Sequence, residues 1–279
     1  MLDGNAARTP AQPLRPFIAR YAGFTTQSAA GETNTGLPSR HVGVIIGLTR
    51  PIELVRMPSA EQIPAAFTAL VSGLHDAPAL VRNGGGCVGM HLFLTPLGVR
   101  SLIGVPSAAL AGRVVDLFEV WKPAAGELVE RLMLSTTWEH CFAILDEIFL
   151  RALRPVSPPP AVASAWQMLA RAHGCLSIRE LAREVGWSRR HLTERFNAEL
   201  GVTPKTAARI LRFEKACRTV MDDRPTLADT ALICGYQDQA HMTREWRALA
   251  GCTPKAWIAR ELPFLQDYEV ARGDDGVTT

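Results

Sequence analysis

HLTERFNAELGVTPK (residues 191–205) and HMTREWRALAGCTPK (residues 241–255) lie over one another without a gap, matching His, Thr, Ala, Gly, Thr, Pro and Lys at an offset of 50. Upstream the register continues at an offset of 49, where Ala182 and Gly186-Trp187 correspond to Ala231 and Gly235-Tyr236. A duplicated unit is the simplest source of this pattern. Two copies separated by a non-repeating segment are not a solenoid, so each is read as a small module of its own.

Each copy carries the signals of two short helices around a sharp turn. In the first, Ser177 and Glu180 form an S-x-x-E capping box ahead of Ile178, Leu181, Ala182 and Val185 at core spacing. Gly186 supplies the left-handed residue the turn needs, Trp187 can pack inward, and Ser188 can cap the next helix. In that helix Leu192 and Phe196 are four apart and face the core, which leaves Arg189, Arg190, Thr193, Glu194 and Asn197 on the other faces. The second copy repeats the logic with Thr226 and Asp229 at the first N-terminus, Gly235 at the turn, Tyr236 inward and Asp238 as the next cap. Met242, Trp246 and Leu249 form its core stripe. Its outward positions are Gln239, Ala240, His241, Arg244 and, one turn on, Arg247.

A helix of this kind can enter the major groove, where Arg bridges guanine O6 and N7, Gln bridges adenine, and small or methylated side chains touch the thymine methyl. A lone arginine on such a face would read as a solvated, ion-pairing residue. Its recurrence in two equivalent helices assigns the face to DNA. The segment resembles the AraC/XylS-type family of bacterial transcription regulators over residues 162–262. The matching positions are Gly186, Leu192, Phe196, Gly201, Pro204, Arg212 and Ala216, then Ala231, Gly235, Tyr236, His241, Trp246, Gly251, Thr253 and Pro254. Met242 and Trp246 stand where the family usually has phenylalanine, and both keep a large apolar side chain. The resemblance implies helix-turn-helix units at 177–199 and 226–250 within a DNA-binding domain spanning 161–262. It also implies double-stranded promoter DNA and RNA polymerase as partners, with activation the commoner outcome in the family.

The rest of the chain is read outward from that domain. Consecutive prolines in residues 155–160 lack helix donors and favour an extended connection, so they are taken as a linker. Residues 1–154 then form a first domain. Within it HVGVIIGL (41–48), PIELVRM (51–57) and CVGMHLFL (87–94) read as strands, with Gly84-Gly85-Gly86 as a hairpin turn. Helices are expected at 96–104, 113–121, 124–134 and 137–153. The last has a candidate capping box in Thr136 and Glu139 and an apolar face of Phe142, Leu145, Ile148, Phe149 and Ala152, fit for core or for a dimer contact. The expected class is therefore α+β, with a small cupin-like β-barrel or sheet plus helices followed by an all-α domain. By analogy with the family, the first domain binds a small-molecule effector or serves only to make a homodimer.

Charge supports this division modestly. Residues 156–262 hold 16 Lys and Arg against 11 Asp and Glu, residues 1–155 hold 13 against 12, and the acidic tail at 263–279 holds 1 against 4. The six cysteines include no C-x-x-C pair, so a zinc knuckle is not expected. His41, His75 and His91 with Glu53 and Asp76 have the residue types of a 2-His-1-carboxylate site, but no H-x-H spacing occurs and no metal or other cofactor is expected. A different class, an alkylation-repair enzyme fused to a DNA-binding module, would need acceptor and zinc-binding cysteines before the linker, which Cys87 and Cys141 do not supply. The opening stretch lacks the apolar run of a secretion signal, and no segment approaches the roughly 18 apolar residues of a membrane span. A cytoplasmic protein with no enzymatic activity and no membrane partner is the expectation.

Overall fold

Runs rich in Val and Ile before residue 95 pair into two antiparallel sheets in the computed structural model, which describes residues 2–26, 31–82, 85–154, 156, 158–222 and 225–265. Pro155 and Ser157 of the expected linker, Gly84 of the expected turn and positions 266–279 of the acidic tail lie outside the described residues. The strands are β1 (Ala6–Arg8), β2 (Ile18–Thr26), β3 (Thr33–Gly36), β4 (Val42–Gly47), β5 (Ile52–Arg56), β6 (Ala65–Phe67), β7 (Ala69–Ser72), β8 (Ala79–Arg82), β9 (Cys87–Leu94) and β10 (Val114–Asp116). The larger sheet runs β1-β2-β9-β4-β7-β10 and the smaller β3-β8-β5-β6. They face one another across Ile52, Leu54, Leu70, Cys87 and Val114. The barrel is thus two facing sheets, with no ladder joining them among the described residues. The connection at Gly85-Gly86 is a crossover between sheets instead of a hairpin, because β8 pairs with β3 and β5 while β9 pairs with β2 and β4.

The other face of the larger sheet is covered by helices. These are α1 (Val99–Leu102), α2 (Leu117–Val120), α3 (Ala124–Met133) and α4 (Trp138–Ala152). Tyr21 stacks on Phe142 and Trp121 on Phe149, and the apolar face of α4 is core. Two expectations shift here. The helix expected at 113–121 opens instead as β10, whose β-branched Val114-Val115 extends β7 before Asp116 caps the short α2. The cap of α4 is Thr137, accepting from the His140 amide, and not Thr136 with Glu139.

The C-terminal domain consists of α5 (Pro160–Arg171), α6 (Ile178–Glu184), α7 (Arg189–Leu200), α8 (Pro204–Asp222), α9 (Leu227–Ile233), α10 (Gln239–Ala250) and α11 (Pro254–Leu265). Capping is as the residues dictate. Ser177 and Glu180 make both halves of their capping box, and Ser188, Thr203, Thr226 and Asp238 each accept the amide three residues on. Gly186, Gly201, Gly235 and Gly251 have φ of 71°, 75°, 75° and 73°, the left-handed region where a side chain would be strained. Leu192, Phe196 and Leu200 of α7 are fully buried, as are Met242, Trp246 and Leu249 of α10. Each such side chain contributes about 1.5 to 3 kcal/mol relative to exposure.

The two domains are docked. Buried residues of the first helix-turn-helix unit belong to one continuous cluster with those of the N-terminal domain. The equivalent glycines that end α7 and α10 both meet that domain: a Cβ on Gly201 would stand 2.2 Å from the Ala111 Cβ, and one on Gly251 3.3 Å from Pro78. Polar contacts reinforce the docking. Arg100 pairs with Glu199 at 3.1 Å, and the Glu214 carboxylate accepts from the Arg40 amide at 2.7 Å, the Ser39 hydroxyl at 3.0 Å and the Arg40 guanidinium.

Candidate nucleic-acid interface

The second helix of each unit carries the residues assigned to DNA. On α7, Arg189, Arg190, Glu194 and Asn197 are exposed and Thr193 is half-buried, opposite the buried stripe of Leu192, Phe196 and Leu200. Arg190 Nε donates to the Glu194 carboxylate at 2.8 Å across one helical turn, and both side chains stay in solvent. The Thr193 hydroxyl donates back to the Arg189 carbonyl at 2.9 Å. On α10, Gln239, Ala240, Arg244 and Arg247 are exposed and line one shallow groove of about 470 Å³. That groove presents an amide, a methyl and two guanidinium groups, the set that reads base edges.

His241 does not line this groove but lies next to it. Its ring packs edge-on against Tyr236 with centroids 5.5 Å apart, its Nδ1 accepts from the Gln237 amide at 3.4 Å, and its Nε2 lies 3.5 Å from the Glu245 carboxylate. His191 sits in the same way against Trp187 at 4.6 Å, so the histidine and the aromatic residue after each turn glycine brace the start of the helix. Trp187 is half-buried, less enclosed than its counterpart Tyr236. Arg212 is internal scaffolding: it donates to the Gly174 carbonyl at 2.9 Å, reaches Glu245 and lies over the Tyr236 ring at 5.6 Å.

The sequence reading passed over one residue of the groove, Thr243, which lines it with the four named above. The signal was present, because an offset of 50 carries Thr193 onto Thr243. In the N-terminal domain His91 stacks on Phe93 at 3.9 Å, Arg20 lies over the same ring at 4.2 Å, and His41 meets its edge at 5.9 Å. Burial, with Arg20 and His41 nearby, pushes His91 down to about 3, so it is neutral at physiological pH. His75 is buried against the Ala77 carbonyl at 2.7 Å, and burial lowers its pKa as well. Among the described residues no group of three or more His, Cys, Asp or Glu could hold a metal ion, and no helix is long and apolar enough to cross a membrane.

A sequence profile described as a helix-turn-helix domain matches residues 181–260, which includes both exposed faces and the helix between them. The C-terminal domain is of the AraC/XylS type. An uncharacterized HTH-type transcriptional regulator of Staphylococcus aureus strain COL is 29% identical over 102 residues, and a second from strain MSSA476 is 33% identical over 100. The alignments cover 37% and 36% of this chain but only 14% and 13% of those proteins, so the likeness is confined to this AraC/XylS-type domain. The fold as a whole is similar to that of apo ToxT from Vibrio cholerae, with a TM-score of 0.54 and 10% identity over 86% of this chain and 97% of that one. ToxT with a bound unsaturated fatty acid gives a TM-score of 0.51 and 9% identity over 95% and 100% of the two chains. The AraC/XylS-type domain is therefore joined to an N-terminal sheet domain in an arrangement with a known structural counterpart.

Proposed function

We propose that this protein is a sequence-specific DNA-binding transcription regulator that reads two adjacent half-sites with α7 and α10 and answers to a small-molecule effector through its N-terminal domain. The observation that carries the reading is the pair of equivalent, capped helices, each with its apolar stripe buried and its polar stripe in solvent. RNA polymerase is the partner through which promoter binding becomes activation. The named contacts are Arg189, Arg190, Thr193, Glu194 and Asn197 for one half-site and Gln239, Ala240, Arg244 and Arg247 for the other, with His241 supporting the second helix. The test is footprinting on the DNA upstream of the protein's own gene, with and without a panel of metabolites. Protection of a site of two half-sites, altered by one metabolite, is the expected result; absence of any protected sequence would refute the reading.

Substituting Arg190→Ala and Arg244→Ala should each relax base preference in one half of the site, at about 1 to 3 kcal/mol apiece for bidentate base contacts. Equal weakening on every DNA sequence would reassign them to phosphate. The division into domains at 1–154 and 161–262 also stands as part of the reading. Residues 158–279 expressed alone should keep sequence preference, and loss of all preference in that fragment would count against two independent domains. For the effector, support comes from the fold shared with ToxT, which has been seen with an unsaturated fatty acid. The cationic Arg20 beside His41, His91 and Phe93 gives the sheet domain a place suited to an acidic, partly apolar molecule. A rise in melting temperature with one such acid, absent in Arg20→Ala, would bear this out.

A further inference from the structure

We propose that the groove between the start of α8 and the face of α10 seats a phosphate of the DNA backbone, and that Asp76 of the N-terminal domain competes with that phosphate for Arg209. The proposal rests on the reading of the protein as a DNA-binding regulator and adds a site and an electrostatic brake to it. The groove has a volume of about 370 Å³ and is lined by Lys205, Arg209, His241, Arg244, Glu245 and Ala248. Arg244 lines the base-reading groove as well, so the two are contiguous. A duplex held by α10 therefore runs its backbone past the first groove. Lys205 is the second residue of α8, whose N-terminus is capped by Thr203. The positive end of that helix adds to the ammonium and guanidinium charges facing the groove.

Arg209 is shared between two carboxylates. Its Nε lies 3.4 Å from Glu245 and its Nη1 3.5 Å from Asp76. The two carboxylates differ in their hold. Glu245 is also bound by Arg212 at 3.4 Å and His241 at 3.5 Å, and only 15% of its side chain is exposed. Asp76 follows β7 on the N-terminal domain and keeps 52% of its side chain in solvent. Both contacts to Arg209 are longer than the 2.7–2.9 Å of a strong charge-assisted hydrogen bond. A phosphate offers guanidinium the same paired oxygens as a carboxylate, so one seated in the groove draws on the same Arg209 that Asp76 meets at Nη1. Asp76 thus holds the arginine in the free protein, and DNA must displace it.

The experiment measures binding of the full-length chain to a mixed-sequence duplex over a salt series. Lys205→Ala and Arg209→Ala should each lower the slope of log affinity against log salt by about 1, the loss of one phosphate contact, and weaken binding alike on all sequences. Asp76→Asn should raise affinity about two- to fivefold, the scale of a half-exposed ion pair. It should have no effect in the Arg209→Ala background. Unchanged slopes in both Lys205→Ala and Arg209→Ala would overturn the phosphate seat. An Asp76→Asn gain that persists without Arg209 would show simple repulsion of DNA and overturn the competition. Wild-type protein that binds no duplex at low salt would refute the regulator reading itself, a result distinct from normal binding with unchanged slopes.

Discussion

Inserting about 5 base pairs between the two half-sites of the operator should reduce binding on the order of a hundredfold, to that of one half-site alone. The reason is the rod between the modules. Thr203 caps α8, Pro204 opens it, and its 19 residues run unbroken to Asp222. At about 1.5 Å each these span roughly 28 Å, which with the widths of the modules approaches the 34 Å of one turn of B-DNA. Docking to the N-terminal domain at both Gly201 and Gly251 further restricts how far the modules can swing. A half-turn insertion carries one half-site to the opposite face of the duplex, out of reach of a stiff connector. A gel-shift series with graded insertions measures this, and a full-turn insertion should weaken binding less than a half-turn if the connector has any give. Unchanged affinity at the half-turn would mean that only one helix enters the groove, and the two-module mechanism would have to be abandoned.

Glu214→Ala should destabilise the docked protein by about 2 to 3 kcal/mol, read as a lower midpoint in denaturant unfolding. Glu214 lies on α8, and its three donors come from the loop between β3 and β4. Removing the carboxylate leaves the Arg40 guanidinium at the interface without its counter-charge. The value is set below the full range for a buried pair because both side chains keep 18–19% of their surface in solvent. Glu214→Gln should recover part of the loss, since the amide oxygen can still accept. The pH dependence follows from the carboxylate. Burial works against its charge, but Arg40, then His41 and the hydrogen bonds from Arg40 outweigh it and hold the pKa below the ordinary value. The unfolded chain therefore takes up this proton first as pH falls. The clasp contributes fully above the usual glutamate pKa of about 4.3 and is lost as pH drops through the lower folded value. A midpoint unchanged by Glu214→Ala would remove Glu214 from the docking energetics.

The helix-turn-helix half of the molecule was legible along the chain because its signals are local. Caps at Ser177, Ser188, Thr203, Thr226 and Asp238 bond to an amide three residues away, and the turn glycines need only their own backbone. The offset between copies also carries Thr193 onto Thr243, a position the outward set left out. The sheet domain was harder to read. Its three longest apolar runs are strands, but Thr33–Gly36 and Ala79–Arg82 carry little alternation and find each other only by pairing across the fold. For the same reason Val114–Asp116 reads as helix until β7 is there to receive it.

Periodicity, capping and the repeat were enough to specify in each copy a capped helix with an apolar stripe turned inward and a polar stripe turned outward. The grip of the N-terminal domain on that apparatus was settled in three dimensions. Arg40 and Glu214 are 174 positions apart, Asp76 reaches Arg209 from another domain, and the two glycines meet the sheet domain only once both units are folded. Such contacts leave no periodic trace, because a charge or a close approach between distant segments depends on the tertiary path of the chain and not on its neighbours.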